Sequence, residues 1–170
     1  MSAKSTPARK TKESPPGIGI GAAHLKKVCS LLADILADQH VLYLKTRNYH
    51  WNLVGDRFRT LHEFYEAQYT ELALAIDRTA ERIRMLGGVS PGSMQEFLKA
   101  ASLVEASGKL IHGEESIKAL TKDHEACARA LRKAIAQCED ELDDVGTADF
   151  LTDLLKQHEK TAWMLRSFLG

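Results

Sequence analysis

The segment RFRTLHEFYEAQYTELALAIDRTAERIRML, residues 57–86, decides the fold of this chain. It contains neither glycine nor proline, and its large apolar residues recur at spacings that place them on one face of an α-helix. The glycine pair Gly87-Gly88 is a typical helix stop, so we predict a long amphipathic helix that ends there. The predicted apolar face consists of Phe58, Leu61, Tyr65, Leu72, Ile76, Ile83 and Leu86.

A second face of the same helix is polar. Because an α-helix turns by about 100° per residue, His62, Glu66, Asp77 and Glu81 fall within an arc of about 100°. This arc is offset by about 120° from the apolar face, so it points away from the core that the helix buries. With His50 just upstream, this arc gives five candidate metal ligands within residues 50–81.

The axial spacing of these side chains restricts how they can meet. His62 and Glu66 are one turn apart, as are Asp77 and Glu81, but about 16 Å of helix separates the two pairs. Metal–ligand bonds measure only about 2.0–2.3 Å, so the pairs cannot share an ion on one helix. A second copy packed antiparallel across a two-fold axis would bring them together twice. We therefore predict a metal site between subunits.

The ligand types narrow the choice of metal. Carboxylates and imidazoles without thiolates suit iron, manganese or zinc better than copper(I). The Glu-x-x-His motif of the usual di-iron bundle is absent from the sequence. A competing interpretation is that the acids lie on a solvated helix face and pair with arginines of the same helix. Those arginines are Arg59, Arg78, Arg82 and Arg84.

Three other long segments have the same helical periodicity. We predict helices at about 22–49, at 57–86, from about 114 onward and at 147–168, with a short helix at 94–101. Asp56 and Thr147 are the predicted N-caps of the second and fourth long helices, and Glu114 and Glu115 suit the positive end of the third.

The long middle connection predicts a crossover. The fold class is therefore all-α, a ferritin-like four-helix bundle with a short extra helix between helices two and three, spanning residues 18–170.

Composition excludes several classes of protein. No apolar run approaches the roughly 18–20 residues that a membrane span needs, and the N-terminus has no apolar signal-peptide core, so we expect a cytoplasmic protein without membrane contact. The cysteines, Cys29, Cys127 and Cys138, show no disulfide spacing. Cys127 and Cys138 fall on an apolar stripe, so buried thiols are expected.

Residues 1–17 are rich in Ser, Thr, Lys and Pro, and we predict a disordered basic arm. The net charge of residues 1–16 is +3, from four cations and Glu13, while the whole chain is neutral. The arm's candidate DNA contacts are Lys4, Arg9, Lys10 and Lys12. Such an arm predicts non-specific, salt-dependent DNA binding; the alternative is a disordered tail that only favours solubility.

Several motifs together resemble the Dps family, the DNA-binding proteins from starved cells or mini-ferritins, over nearly all of the chain after the arm. The motifs are Tyr43-Leu44-Lys45-Thr46-Arg47-Asn48-Tyr49-His50-Trp51-Asn52, Leu61-His62, Glu66, Asp77 and Ala80-Glu81-Arg82, with the closing Ala162-Trp163-Met164-Leu165-Arg166-Ser167. The resemblance implies a hollow shell of twelve subunits with ferroxidase centres, each holding two iron positions, at the two-fold interfaces. His50, His62 and Glu66 would come from one subunit, and Asp77 and Glu81 from its mate. Glu66 stands where many members carry Asp, which keeps the charge with one more methylene.

The resemblance also implies an activity. Members of the family oxidise Fe(II), commonly with hydrogen peroxide, store the Fe(III) mineral and protect DNA from oxidative damage; the expected oxidant here is hydrogen peroxide or oxygen. Trp51 beside a ligand could intercept radicals or simply pack at an interface. Acids at the start of the last helix line iron pores in the family, which makes Asp144, Asp149 and Asp153 candidates here. The alternative function is a nucleoid-compacting, DNA-binding protein whose metal site is residual or structural.

Overall fold

Five helices and one pair of very short strands make up residues 14–170, the part of the chain that the computed structural model describes. The elements are α1 Ala22–Asn52, β1 Leu53–Val54, α2 Phe58–Met85, α3 Met94–Ala100, β2 Ile111–His112, α4 Gly113–Asp140 and α5 Val145–Ser167. The predicted all-α bundle and the extra helix in its middle connection are both confirmed. No helix within this range is both long and apolar enough to cross a membrane.

The bundle consists of two helical hairpins, in which α1 packs on α2 and α4 packs on α5. Strand β1 follows α1, strand β2 precedes α4, and the two pair in parallel with Leu53 opposite Ile111. The end of α1 therefore lies beside the start of α4. Because α2 runs back along α1, the connection from α2 to α4 must return along the bundle, which is the predicted crossover. Sequence periodicity did not predict the strands, because two residues are too few to show it.

The C-terminus of α2 is a Schellman motif. The amide of Gly88 donates to the Ile83 carbonyl at 3.0 Å, and the amide of Gly87 donates to the Arg84 carbonyl at 3.0 Å. Gly87 has a φ of +81°, a left-handed conformation that glycine adopts without steric cost. The stop predicted at this glycine pair is thus confirmed.

Two predicted N-caps are wrong. Asp56 does not cap α2, since the amide of Phe58 donates to the Gly55 carbonyl at 3.1 Å and the turn itself supplies an acceptor. Thr147 lies inside α5, and the cap is Asp144 instead. One oxygen of Asp144 accepts from the Thr147 amide at 2.9 Å and the other from the Thr147 hydroxyl at 2.6 Å. Asp144 caps α5 because its carboxylate at the N-cap position accepts a hydrogen bond from an amide of the first turn.

The core runs the length of the bundle and contains the expected thiols. Cys127 and Cys138 are buried, and all three cysteines are free. Burial raises the pKa of the Cys138 thiol to about 11, so it stays protonated at neutral pH. Tyr65 is fully buried and its hydroxyl lies 2.7 Å from the Ser116 hydroxyl, which satisfies the one polar atom that this ring takes into the core.

The residues nearest the arm lie against the body. Pro16 is partly buried, and a Cβ at Gly87 would come within 2.7 Å of the Pro16 Cδ atom. Pro15 lines a surface cavity with Cys29 and Leu86. The last residues of the predicted 1–17 arm therefore contact the end of α2. Lys4, Arg9, Lys10 and Lys12 lie outside the described residues.

Candidate metal centre

The structure brings His50 and His62 together. His50 is in the last turn of α1 and His62 is near the start of α2, and their rings stack with centroids 3.7 Å apart and planes 16° apart. The Nδ1 atom of His50 lies 2.8 Å from the His62 carbonyl oxygen, and the Nδ1 atom of His62 lies 2.9 Å from the His50 carbonyl oxygen. Although they are twelve residues apart in sequence, each imidazole is hydrogen-bonded to the backbone carbonyl of the other residue.

These reciprocal hydrogen bonds determine where each imidazole carries its proton. A carbonyl oxygen can only accept, so both Nδ1 atoms must be the donors. In a neutral imidazole the other nitrogen, Nε2, then carries a free lone pair, which is the form that binds a metal ion. A donor bond from the non-ligating nitrogen also orients the ring and raises its basicity as a ligand. The pair is therefore preorganised for metal binding through Nε2.

Aromatic rings surround this histidine pair. Phe58 stacks on His62 with centroids 5.0 Å apart, and the ring of Tyr69 meets His50 edge-on at 5.2 Å. The Tyr69 hydroxyl lies 3.5 Å from a carboxylate oxygen of Glu66 and donates to it, a long and weak bond. Tyr69 thus lies between His50 and Glu66, the nearest acid of the polar arc. Its position seven residues after His62 could have revealed this, because seven residues make about two helical turns.

Trp51 lies at the edge of the same region and is 56% exposed. The Arg47 guanidinium carbon is 4.9 Å from the Trp51 ring centroid, 5.1 Å from that of Tyr69 and 5.5 Å from that of Tyr43. The Arg47 Nη1 atom also donates to the Tyr43 hydroxyl at 2.7 Å. The cation therefore holds three oxidisable rings together beside His50. Sequence reasoning singled out Trp51 but missed this cluster.

The three acids of the polar arc all reach solvent. Glu66, Asp77 and Glu81 are exposed on α2. Within residues 14–170, no three His, Cys, Asp or Glu side chains converge on a point that could hold a metal ion. One chain thus presents the histidine pair with Glu66 towards one end of α2, and Asp77 with Glu81 towards the other.

Two of the arginines that could compete for these acids have other partners. The Arg59 Nε atom lies 3.0 Å from a carboxylate oxygen of Glu63, and an Arg82 nitrogen lies 3.1 Å from a carboxylate oxygen of Asp144. Arg82 also donates from Nε to the Thr147 hydroxyl at 3.0 Å. Arg82 thus connects α2 to the start of α5 rather than neutralising the polar arc.

The candidate pore acids divide into two groups. Asp144 is 2% exposed, and both of its oxygens are engaged by the α5 cap and by Arg82. These contacts give Asp144 a structural role in this subunit, and a carboxylate with both oxygens engaged is less available to line a pore. Asp149 and Asp153 are exposed on α5 and stay as candidates. Asp153 lies 3.2 Å from the ammonium group of Lys156, an exposed pair that contributes little to stability.

Comparisons with known proteins agree with this architecture. A family model described as Ferritin-like domain matches residues 29–170. An uncharacterised low-temperature-induced protein of Nostoc sp. is 45% identical over 156 residues, which cover 91% of this chain and 87% of that protein. DNA protection during starvation protein 2 of Bacillus anthracis is 40% identical, with 85% of this chain and 98% of that protein covered.

A solved structure extends the agreement to three dimensions. The Dps protein of Vibrio cholerae, described as a member of a broad superfamily of ferritin-like diiron-carboxylate proteins, superposes with a TM-score of 0.87. It is 32% identical, and the match covers 93% of this chain and 98% of that one. With a family model over most of the chain and relatives matched along nearly their whole length, the chain belongs to the Dps family of ferritin-like proteins.

Proposed function

We propose that this protein is a ferroxidase and iron store that oxidises Fe(II) at sites shared by two subunits. The observation that carries the proposal is the reciprocal bonding of His50 and His62, which leaves both Nε2 lone pairs free for a metal ion. The exposed carboxylates of α2 supply the negative charge that an Fe(II) ion needs from its ligands. The superfamily to which the Vibrio relative is assigned supports iron as the metal.

The proposed assembly makes use of the geometry of α2. An antiparallel copy of this helix across a two-fold axis would place Asp77 and Glu81 of one subunit against His50, His62 and Glu66 of its mate. Each pair of subunits then has two identical sites, each with room for two iron ions. The membership in the Dps family supports a closed shell of twelve such subunits. The exposed Trp51 and Phe58 beside the histidine pair suit burial at this interface.

The chemistry balances with hydrogen peroxide as the oxidant. Two Fe(II) ions give up one electron each, the O–O bond breaks, and with two water molecules the products are two FeOOH units and four protons. Because both electrons go to one peroxide at one site, no hydroxyl radical is released. In this reaction the protein's histidines and carboxylates hold the two ions close together, and the shell retains the mineral.

A direct experiment tests the activity. Oxidation of Fe(II) by hydrogen peroxide is followed without oxygen in the wild type and in the double variant His50→Ala with Glu81→Gln. We expect at least a 100-fold loss of rate, since the variant removes a ligand from each end of the site. A control with the same residue types changed elsewhere, His24→Ala with Glu139→Gln, should keep the wild-type rate. Equal rates in the two double variants would overturn the proposal.

The nitrogen and oxygen donors of the site suit zinc as well as iron, so the alternative function needs a test of its own. If the site is structural, for example holding zinc, the protein should bind the metal without consuming peroxide.

The name of the Bacillus anthracis relative, DNA protection during starvation, supports a role near DNA. The basic arm, residues 1–16, is our proposed contact to DNA phosphates, and Asp149 with Asp153 is the proposed path for iron into the shell.

A further inference from the structure

A second pair of histidines lies in the middle of the bundle, on different helices from the first. His124 of α4 and His158 of α5 are 2% and 5% exposed. Their Nδ1 atoms are 3.0 Å apart, and their ring centroids are 5.0 Å apart. One hydrogen bond can join the two Nδ1 atoms, with one ring as donor and the other as acceptor. The iron chemistry proposed above does not use either residue.

A small cavity of about 20 Å³ lies against both rings. Its walls include Gln68 and Glu71 of α2 and Gln157 of α5. Glu71 and Gln157 are exposed, so this cavity lies directly under the protein surface. A cavity needs about 10–15 Å³ to hold one water molecule, so a single water molecule or a small ion fits here.

An independent observation lies on the other side of His158. There Gln39 of α1 is 1% exposed, and neither its Oε1 nor its Nε2 atom has a hydrogen-bond partner. Gln39 and His158 line a second cavity, of about 10 Å³. An unpaired buried amide is destabilising by roughly 1–3 kcal/mol, so polar atoms of this kind normally face a polar guest. The interior beside His158 therefore contains buried polar atoms that apolar packing alone does not satisfy.

Burial keeps both imidazoles of this pair in the neutral form that binds a metal ion. Burial lowers the pKa of His158 to about 4 and, together with the charge of His158, holds the pKa of His124 well below 6.5. Both imidazoles are therefore neutral at pH 7, and the ring that donates the Nδ1 hydrogen bond has only to carry its proton on Nε2 instead for both Nδ1 lone pairs to face a metal ion. The buried carboxylate of Asp38 acts on His158 in the direction that favours positive charge there.

The distances are compatible with one shared ion. Two nitrogens bound to one metal at about 2.0–2.1 Å are about 3.3 Å apart when the arrangement is tetrahedral. The Nδ1 atoms are at 3.0 Å, so the rings need to separate by only a few tenths of an ångström. Glu71 is not within ligand distance as the chain stands, because no three such groups converge in the described residues. Its side chain is long and exposed, and rotation can bring the carboxylate into the cavity that it already lines.

We propose that the bundle interior of each subunit holds a single-ion site for a divalent transition metal, with His124 and His158 as nitrogen ligands and Glu71 as the carboxylate ligand. Two imidazoles and one carboxylate leave positions open for water, a ligand set typical of zinc and of ferrous iron. An ion here joins α2, α4 and α5 within one chain. The site is independent of the intersubunit site and does not require the oligomer.

Anaerobic titration with Co(II) tests this site by visible absorption of the bound ion. The background is the full chain with His62→Ala and Glu81→Gln, which removes a ligand from each end of the proposed intersubunit site. We expect about one strongly absorbing Co(II) per chain, as four- or five-coordinate Co(II) gives. In this background His158→Gln should abolish the absorption, and Glu71→Gln should weaken binding about 10-fold or more. Glu139→Gln, an exposed acid of α4, is the matched control.

Each result of the Co(II) titration either supports or refutes the proposed site. Loss in His158→Gln and weakening in Glu71→Gln, with the control unchanged, support the site. No strongly absorbing Co(II) in the background, or absorption that either substitution leaves intact, overturns it. If His158→Gln does not fold, as judged by its helical circular dichroism, the surface variant Glu71→Gln decides alone. Peroxide-dependent iron oxidation is not part of this measurement, so failure here leaves the proposed function untouched.

Discussion

Complementation between two inactive variants is the sharpest test of a site shared by two subunits. One variant, His50→Ala with His62→Ala, lacks the histidine pair. The other, Asp77→Asn with Glu81→Gln, lacks the two acids at the far end of α2. Each variant alone should be inactive in iron oxidation, because every site in its homo-oligomer lacks two of its five ligands.

The magnitude of the rescue follows from the two-fold geometry. When one chain of each kind forms a pair, the histidines of the acid variant face the acids of the histidine variant, and one of the two sites is complete. Random pairing of equal amounts makes about half of all pairs mixed. Intact sites are then about a quarter of the total, so the mixture should recover about a quarter of the wild-type rate.

The assay requires that the chains exchange. The two variants are unfolded together, refolded, purified as one oligomer and compared with each variant refolded alone. The initial rate of Fe(II) oxidation by hydrogen peroxide is measured without oxygen. A mixture no faster than the sum of its parents, despite confirmed mixed oligomers, would refute the sharing of ligands across the two-fold axis. A parent variant that keeps the full rate would refute the ligand assignment itself.

The remaining predictions concern stability, iron passage and DNA. The unfolded chain binds a proton at His158 below pH 6.5, while burial lowers the pKa of His158 in the native state to about 4. The contribution of neutral His158 to the free energy of unfolding is therefore fully present above pH 6.5 and is lost as pH falls towards 4, with a loss of about 2 kcal/mol at pH 5. In urea unfolding, the free energy of unfolding of His158→Gln should fall by about 2 kcal/mol less than that of the wild type between pH 7.5 and 5. Asp144→Ala should lower the free energy of unfolding by about 2–4 kcal/mol, since it removes the α5 cap and leaves the arginine partner without its carboxylate. Asp149→Asn with Asp153→Asn should slow mineralisation several-fold at unchanged stability, measured from the growth of Fe(III) absorbance. Deletion of residues 1–16 should abolish a DNA gel shift that itself weakens steeply with salt.

Each of these predictions has a result that contradicts it. An unchanged pH dependence in His158→Gln, compared with the control His112→Gln at an exposed histidine, would show that the buried ring is not the titrating group. If Asp144→Ala lowers the free energy of unfolding by no more than the exposed Asp153→Ala does, Asp144 has no structural role. Unchanged iron uptake in the double Asn variant would refute the assignment of Asp149 and Asp153 to an iron pore. DNA binding that persists after deletion of residues 1–16 would show that the DNA contact lies in residues 17–170.

The sequence alone was sufficient for the fold because its determinants are local. The apolar face of residues 57–86 has a helical period that no other secondary structure matches, and the glycine pair after it permits only a helix end. Length alone required the middle connection to cross over. The N-caps were harder to predict: Asp56, Thr147 and Asp144 are all acceptable cap residues, and the choice among them depends on where the chain turns and on Arg82 from a distant helix.

The polar arc on α2 was also visible in the sequence, since the angles between positions on a helix are fixed. What only the tertiary structure decided is which nitrogen of each histidine is free, because that depends on carbonyl groups brought together by the bend between α1 and α2. It likewise decided that Asp144 is buried, and that His124 meets His158 beside an unpaired amide. Side chains far apart in sequence acquire their protonation and their partners from packing, and no period along the chain encodes this.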